Sequence, residues 1–331
     1  MTKINFYKIK KVLKIMIPSF MFSYPCFKLY NLLQKSTGYL LEKWLSYRCI
    51  GYWPNIKNPK SYNEKIIWKK IYDRNPLLTM VADKYEVRNY VKQVLGEEKS
   101  NEILLPLYFV TERPEQIPFN SLPENYIIKA NNASGRLIIA EKTDLGTRFR
   151  LYNGKDNSIL YDSDKTRKVI IRLCRKWLSM TCGFSSLEWC YQKIKRKIII
   201  EKLLKNKEGN LPDDYKFNVF HGKCHLIQVY YDKFIRINRA WYTPEWKYIK
   251  VKQGAEYRRK PAKLKEMIEI SETLAKPFDF IRVDLYMVEN NIYFGELTNY
   301  PMGGRTRFTT IPLDFKYGKK WRIIPNYWKK K

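Results

Sequence analysis

Apolar and polar positions alternate with two different periods along this chain. Between residues 58 and 96 the apolar positions recur at helical spacing. Ser61 followed by Glu64 makes a capping box, in which each side chain satisfies the other residue's exposed backbone amide. Ile66, Ile67 and Ile71 continue that helix. A second begins near Leu77, carries Met80, Tyr85, Val87, Tyr90, Val91 and Val94, and stops at Gly96. From residue 103 the texture changes to short apolar runs broken by proline and asparagine, which predicts strands over 103–110, 126–130 and 136–140. Helical spacing returns over 165–195. An apolar strand over 197–204 follows, then a hairpin with strands 216–220 and 224–231 around His221-Gly222-Lys223. A helix over 261–275 leads into a last hairpin, 278–288 and 292–297. Short strands mixed with separate helices predict an α+β fold.

Composition changes this picture in two places. The formal net charge is +31, from 63 Lys and Arg against 32 Asp and Glu, which favours anionic partners. The alternative reading, of equal weight, is a Lys- and Ile-rich, Ala-poor composition inherited from an AT-rich genome, with the lysines solvated on the surface. Residues 3–48 combine Lys8, Lys10, Lys11 and Lys14 with Leu13, Ile15, Met16, Ile17, Phe20 and Phe22. Two readings fit this stretch: a segment lying in a membrane interface, or an ordinary N-terminal helix packed on the domain. The apolar run over 15–27 holds two prolines and is far short of the roughly 20 residues a spanning helix needs. No two of the six cysteines sit at CxxC spacing, so neither a zinc site nor a disulfide framework is indicated. A reducing compartment is the default.

The sharpest chemical signal is the final hairpin. With a three-residue turn at Glu289-Asn290-Asn291, Asp284 and Glu296 stand directly opposite each other, their Cβ atoms about 5 Å apart. A two-residue turn changes the phase and removes that pairing. Two facing carboxylates repel unless a cation lies between them, and Mg2+ held by carboxylates and nucleotide phosphates is the natural solution. A second signal is the apolar strand that delivers Lys129 ahead of the small-residue loop Asn131-Asn132-Ala133-Ser134-Gly135. Such a loop can turn its amides toward a phosphate, although on this signal alone a hairpin turn with a surface lysine is the stronger reading. A third is the strand ending in Glu201, and a fourth is Asp213-Asp214-Tyr215-Lys216 opening the next hairpin.

The order of these parts resembles the ATP-grasp superfamily, and their wording is similar to its TupA-like branch, named for teichuronopeptide synthesis. The resemblance runs from about Tyr52 to Gly304. It rests on Asn58-Pro-Lys-Ser-Tyr-Asn-Glu64, Tyr72-Asp-Arg-Asn-Pro, Ala82-Asp-Lys84-Tyr-x-Val-Arg88, Asp214-Tyr-Lys216-Phe and Arg282-Val-Asp284-Leu-Tyr. It implies two α+β lobes gripping ATP, with a basic helical N-terminal extension over 1–55. The lobes then divide as 56–125, a small lobe 126–200 and a large lobe 201–331 carrying the metal. The cofactors it implies are ATP and Mg2+. Lys129 would touch the phosphates beneath the loop that holds Ser134 and Gly135. Glu201 and Leu203 would lie at the adenine and ribose. Lys216, Arg239 and Arg282 would act on the reacting phosphoryl and acyl groups, with Arg305 and Arg307 also receiving the acidic substrate. Asp284, Glu296 and Asn299 would hold the metal. The usual asparagine two residues after the glutamate is Thr298 here, with Asn299 one further, and the loop reads Asn132-Ala-Ser-Gly135 where the branch has a His-Gly-Ser-Gly type.

The activity so implied is ATP-dependent joining of a carboxylate to an amine in cell-surface polysaccharide or capsule biosynthesis. The acidic partner would be a small molecule or a glycan, in lipid-linked form, met in the cytoplasm at the inner face of the membrane through residues 1–50. A glycosyltransferase of the same pathway is the alternative, with Asp162-Ser-Asp164 its nearest metal–nucleotide-sugar motif. A catalytically degenerate ATP-grasp protein is another. A non-catalytic binder of anionic glycan or nucleic acid would use the charge and the 26 tyrosines, but no nucleic-acid motif supports it.

Overall fold

The computed structural model describes residues 24–153, 156–231, 238–250 and 257–329. Residues 3–23 of the basic run over 3–48, which hold Lys8 to Phe22, thus lie outside the described residues. Helices α1 (Tyr24–Ser36) and α2 (Leu40–Ile50) come first, and α3 (Tyr62–Tyr72) opens with the expected capping box. Glu64 does more than close that box. Its Oε1 accepts from the Asn55 amide at 2.8 Å, and its Oε2 from the Lys60 and Ser61 amides at 2.7 and 2.9 Å. The chain entering α3 is thereby fixed before any apolar contact is counted.

The single helix expected from Leu77 to Gly96 is two: α4 (Leu77–Ala82) and α5 (Val87–Leu95), with α6 (Glu97–Ile103) beyond. Asp83 causes the break. Its Oδ1 accepts from the Tyr85 amide at 2.8 Å and from Asn131 Nδ2 at 2.9 Å, so a side chain replaces the helical carbonyl as partner.

Two six-stranded sheets follow, every neighbouring pair antiparallel. The first contains β1 (Leu107–Thr111), β2 (Tyr126–Ala130), β3 (Arg136–Thr143), β4 (Gly146–Asn153), β5 (Asp156–Tyr161) and β6 (Ile198–Lys202), in the order β1-β6-β2-β3-β4-β5. One face of it packs on α7 (Asp164–Ser179), where Ile170, Cys174 and Trp177 meet Tyr126, Ile128 and Ile200. Beyond Ser179 the expected helix gives way to turns and a short 3-10 segment, Trp189–Lys193.

The second sheet runs β10-β9-β8-β7-β11-β12. Its strands are β7 (Asp214–Phe220), β8 (Lys223–Tyr231), β9 (Asn238–Tyr242), β10 (Tyr248–Ile249), β11 (Phe280–Val288) and β12 (Asn291–Thr298). Alternation divides its faces sharply. Phe217 and Val219 of β7, Ile227 and Val229 of β8, and Ile281 and Val283 of β11 point into the core shared with α8 (Leu264–Ala275). Asp214, Lys216, Arg282 and Asp284 point the other way. Helix α9 (Ile311–Lys320) closes the structure against α3, with Asp314 accepting from the backbone amide and the Nδ2 of Asn63 at 3.0 and 2.6 Å.

The final hairpin corrects the expected turn. Val288 pairs with Asn291, so the turn is the two residues Glu289 and Asn290, both with positive φ (49° and 64°) as a primed turn requires. The phase is nevertheless restored. Leu285 pairs with Phe294 and Asp284 with Glu296, which leaves Gly295 as a bulge residue. A Cβ on Gly295 would stand 2.9 Å from the Asp284 carbonyl oxygen and 2.9 Å from the Tyr286 ring, so the bulge admits only glycine without displacement. The facing carboxylates are real, but a bulge sets them opposite rather than a longer loop.

Candidate active site

The polar face of the second sheet and the outer face of the first enclose a cleft of about 280 Å³. Its lining includes the apolar side chains Leu105, Ile127, Leu137, Ile139, Leu203 and Leu204. It also includes Lys84, Lys129 and Lys216 together with Glu201, Asp284 and Glu296. The lining therefore offers apolar surface for a flat ring system and cations for a polyanion.

Strand parity puts each charged residue there. Ile127 and Lys129 alternate on the outer face of β2, opposite the buried Tyr126, Ile128 and Ala130. Glu201 stands opposite Ile127 on β6, and Lys129 Nζ reaches its Oε2 at 3.2 Å. The chain then leaves β6 through Leu203 and Leu204, which turn into the cleft. Ser134 and Gly135 line the mouth, and Gly135 has φ 66°.

On the second sheet Lys216 pairs in register with Asp284. Its Nζ lies 2.5 Å from Asp284 Oδ2 and 2.6 Å from Asp214 Oδ2. Burial alone would lower the Lys216 pKa, but Asp214 and Asp284 raise it above its ordinary value, so the ammonium stays charged. Arg282 grips both facing acids. Its Nε is 2.6 Å from Asp284 Oδ1, and its Nη2 lies 2.7 Å from Asp284 Oδ2, 3.2 Å from Glu296 Oε1 and 2.9 Å from Thr298 Oγ1. Thr298 Oγ1 donates in turn to Glu296 Oε1 at 2.9 Å. Burial pushes the Glu296 carboxyl upward, but Lys84, Arg282 and Lys216 outweigh it and hold it down to about 2.

These donors fit a magnesium ion. The set is all oxygen and two carboxylates face each other, with the Arg282 guanidinium bridging them where a cation's charge would fall. Among the described residues no three His, Cys, Asp or Glu side chains cluster to hold a metal alone.

Other expected residues fall elsewhere. Asn299 does not join the carboxylates: it is fully buried, and its Nδ2 donates to the Leu78 carbonyl at 2.8 Å. Alternation along β12 puts Glu296 and Thr298 on the cleft side and sends Leu297 and Asn299 inward, so the hydroxyl of Thr298 is the group beside the glutamate. Arg239 is not among the residues lining the cleft, but its pairing with Tyr230, which pairs with Asp214, puts it on the same face of the second sheet; its guanidinium is 4.9 Å from the Tyr230 ring centroid, and Lys216 Nζ is 4.9 Å from the same centroid. Arg305 is committed to Glu42 at 2.8 Å and does not line the cleft, nor does the exposed Arg307. Asp162 forms a two-point ion pair with Arg167 at 2.9 and 2.7 Å, and Ser163 caps α7, so the Asp162-Ser-Asp164 motif serves a helix start.

Lys84 is the residue the periodicity concealed. Read as a mid-helix position it should be a solvated surface charge. The break at Asp83 instead brings it into the cleft, with its Nζ donating to the Ala133 carbonyl at 2.7 Å and its amide to the Asn131 carbonyl at 3.0 Å. Asp214, which the sequence offers only as part of a motif, lines the cleft beside Lys216.

No curated protein matches the chain. Among solved structures, D-alanine–D-alanine ligase from Bacillus anthracis aligns at 18% identity with a TM-score of 0.39, covering 73% of this chain and 64% of that one. The VanG D-Ala:D-Ser ligase from Enterococcus faecalis aligns at 14% identity and TM-score 0.38, covering 72% and 57%. An L-amino acid ligase from Bacillus licheniformis aligns at 10% and 0.38, covering 70% and 44%. This chain spans less than two thirds of the length of each of these three ligases. A family model described as TupA-like ATPgrasp matches residues 64–322, and the chain belongs to the TupA-like ATP-grasp family.

Proposed function

We propose that this protein is an ATP-dependent carboxylate–amine ligase working through an acyl-phosphate, with ATP in the cleft and Mg2+ at Asp284 and Glu296. The observation that carries the reading is one cleft whose lining combines apolar side chains with three lysines and two opposed carboxylates. The apolar side chains, Leu137 and Leu203 among them, receive the base. Lys84, Lys129 and Lys216 face the phosphates and offset charge on the transferred oxygens. When bound, Mg2+ would neutralise phosphate oxygens and polarise the transferred group.

In the first step a substrate carboxylate oxygen bonds to the γ-phosphorus and ADP leaves with the electron pair of the broken P–O bond. In the second an amine nitrogen bonds to the acyl carbon and inorganic phosphate departs. Most of the acceleration asked of the protein is positioning and charge complementarity. Arg282 is assigned to the acyl-phosphate because its guanidinium spans Asp284 and Glu296, which line the cleft, although Arg282 is not itself a lining residue. The acidic substrate is a uronic-acid-type glycan or its lipid-linked precursor, an assignment supported by the family and not by any contact in the cleft.

Calorimetry of ATP binding with and without Mg2+, on the wild type and on Glu296→Ala, tests the reading. Magnesium-dependent binding that the substitution abolishes is the expected result. A well-folded wild type that ignores Mg-ATP would refute it.

A further inference from the structure

Outside the cleft, the least satisfied surface is the helical hairpin α1–α2. Helix α1 is apolar on two sides. Phe27 and Tyr30 pack inward, where Phe27 meets Phe184 edge-on at 5.8 Å and Tyr30 stacks on it at 5.3 Å. On the other side Leu29, Leu32 and Leu33 are 58%, 61% and 58% exposed. At about 100° per residue these three occupy an arc of roughly 100°, and Lys28 and Lys35 fall together along one border of it. Helix α2 repeats the pattern after a three-residue turn. Leu40, Trp44 and Tyr47 follow one another at helical spacing, Leu40 and Tyr47 are exposed, and Trp53 comes back against Tyr47 with ring centroids 6.1 Å apart. Arg48 lies over the Trp44 ring at 5.0 Å.

Charge is as one-sided as the apolarity. Between residues 24 and 53 the charged residues are Lys28, Lys35, Lys43, Arg48 and one acid, Glu42. Glu42 is 2% exposed and is consumed by Lys70 and Arg305 at 2.8 Å each, so the surface of the hairpin presents cations alone. No acidic residue precedes Glu42 anywhere in the chain. No helix among the described residues is long and apolar enough to cross a membrane. Exposed leucines, amphipathic aromatics and an excess of basic residues on one short hairpin are the chemistry of a surface that lies in a lipid interface, with the leucines among acyl chains and the basic side chains at phosphate headgroups.

We infer that the α1–α2 hairpin docks the protein on an anionic phospholipid surface, through Leu29, Leu32, Leu33, Leu40 and Tyr47. An isolated charge patch would bind polyanions without needing the leucines, and an isolated apolar patch would not select lipid charge. The structure carries both on the same two helices.

Co-sedimentation of the full chain with vesicles tests this. The wild type is expected to pellet with phosphatidylglycerol-containing vesicles and to stay in solution with phosphatidylcholine alone. L29S/L32S/L33S, whose positions touch neither core nor cleft, should keep wild-type ATP binding while losing vesicle partitioning at least tenfold. In a second arm, Leu32→p-benzoylphenylalanine is irradiated in the presence of the anionic vesicles, with a lipid adduct expected. A crosslink to residues 2–23 of the same chain or to a second copy would overturn the inference, as would a triple variant that pellets like the wild type.

Discussion

Arg282 holds the whole cleft in balance. Its Nη2 touches Asp284, Glu296 and Thr298 at once, and the side chain is only 9% exposed. Removing it leaves Asp284 to Lys216 but takes away the cation that bridges the two facing carboxylates, and breaking a buried ion pair in this way costs about 3–5 kcal/mol. Arg282→Ala should therefore melt well below the wild type in metal-free buffer. Because the lost cation can be replaced, adding Mg2+ should raise the variant's melting temperature more than the wild type's. Equal responses to magnesium would show that Arg282 does not share ground with the metal. Acid sensitivity belongs to the same trio. The Glu296 carboxyl is held at about 2 against its ordinary 4.5, so its ion pairing contributes stability above pH 4.5 that is lost as pH falls toward 2. In Glu296→Gln that acid limb of the stability profile should flatten, as denaturant titrations between pH 5 and pH 2 would read.

At the scale of elements, two devices fix the geometry. The first is the bulge in β12. Ala at position 295 would meet backbone and ring atoms at 2.9 Å, and such overpacking costs typically about 1–3 kcal/mol. Gly295→Ala should weaken Mg-ATP binding by more than the stability loss alone explains, since it moves Glu296 relative to Asp284. An unchanged affinity would show that the register tolerates the shift. The second device is the buried ion cluster joining α2 to α3, in which Glu42 meets Lys70 and Arg305 while Glu188 lies against Gly303 beside Lys70. Burial pushes the Glu188 carboxyl up to about 7, against a partial pull downward from Lys70. A raised acid binds its proton more tightly in the folded chain, so stability should rise as pH falls from about 7 toward 4.5. Glu188→Gln should erase that slope and gain on the order of 2–3 kcal/mol at pH 8. A variant whose profile keeps the wild-type slope would assign it to another group.

How far the sequence reveals these elements depends on which signal each obeys. Ser61 and Glu64 announce their helix because a capping box is local chemistry. Asp284 and Glu296 can be paired from spacing, although the expected three-residue turn stands in for a two-residue turn plus the Gly295 bulge. Lys84 is hidden because Asp83 breaks its helix through a partner, Asn131, 48 residues away. Strands β4 and β5 escape notice for a different reason: Arg148, Arg150 and Tyr152 alternate with Phe149 and Leu151, so only every second position is apolar and no continuous run marks the strand.

The same Asp83–Asn131 contact matters most for the molecule as a whole, because it ties the two sheets together across the cleft. Helix α4 packs beside β12 of the second sheet, where Leu78 O accepts from Asn299. Asn131 ends β2 of the first sheet, and its side chain bonds Asp83 at 2.9 Å, the Lys195 carbonyl at 2.9 Å and the Lys197 amide at 2.8 Å. The strut thus sets both the distance between the sheets and the entry of Lys84, whose own bonds to Asn131 and Ala133 follow from it. Cutting one end should leave each sheet's core intact, since neither residue contributes apolar packing. Asp83→Ala is therefore expected to retain most of its stability but to bind ATP about tenfold more weakly, the equivalent of one lost charge-assisted contact. Amide exchange should quicken at residues 131–136 and 83–87 while β7 and β11 stay protected, because local opening is confined to the strut. If exchange instead quickened through both sheets, Asp83 would be a keystone of folding rather than the spacer that holds the cleft at nucleotide width.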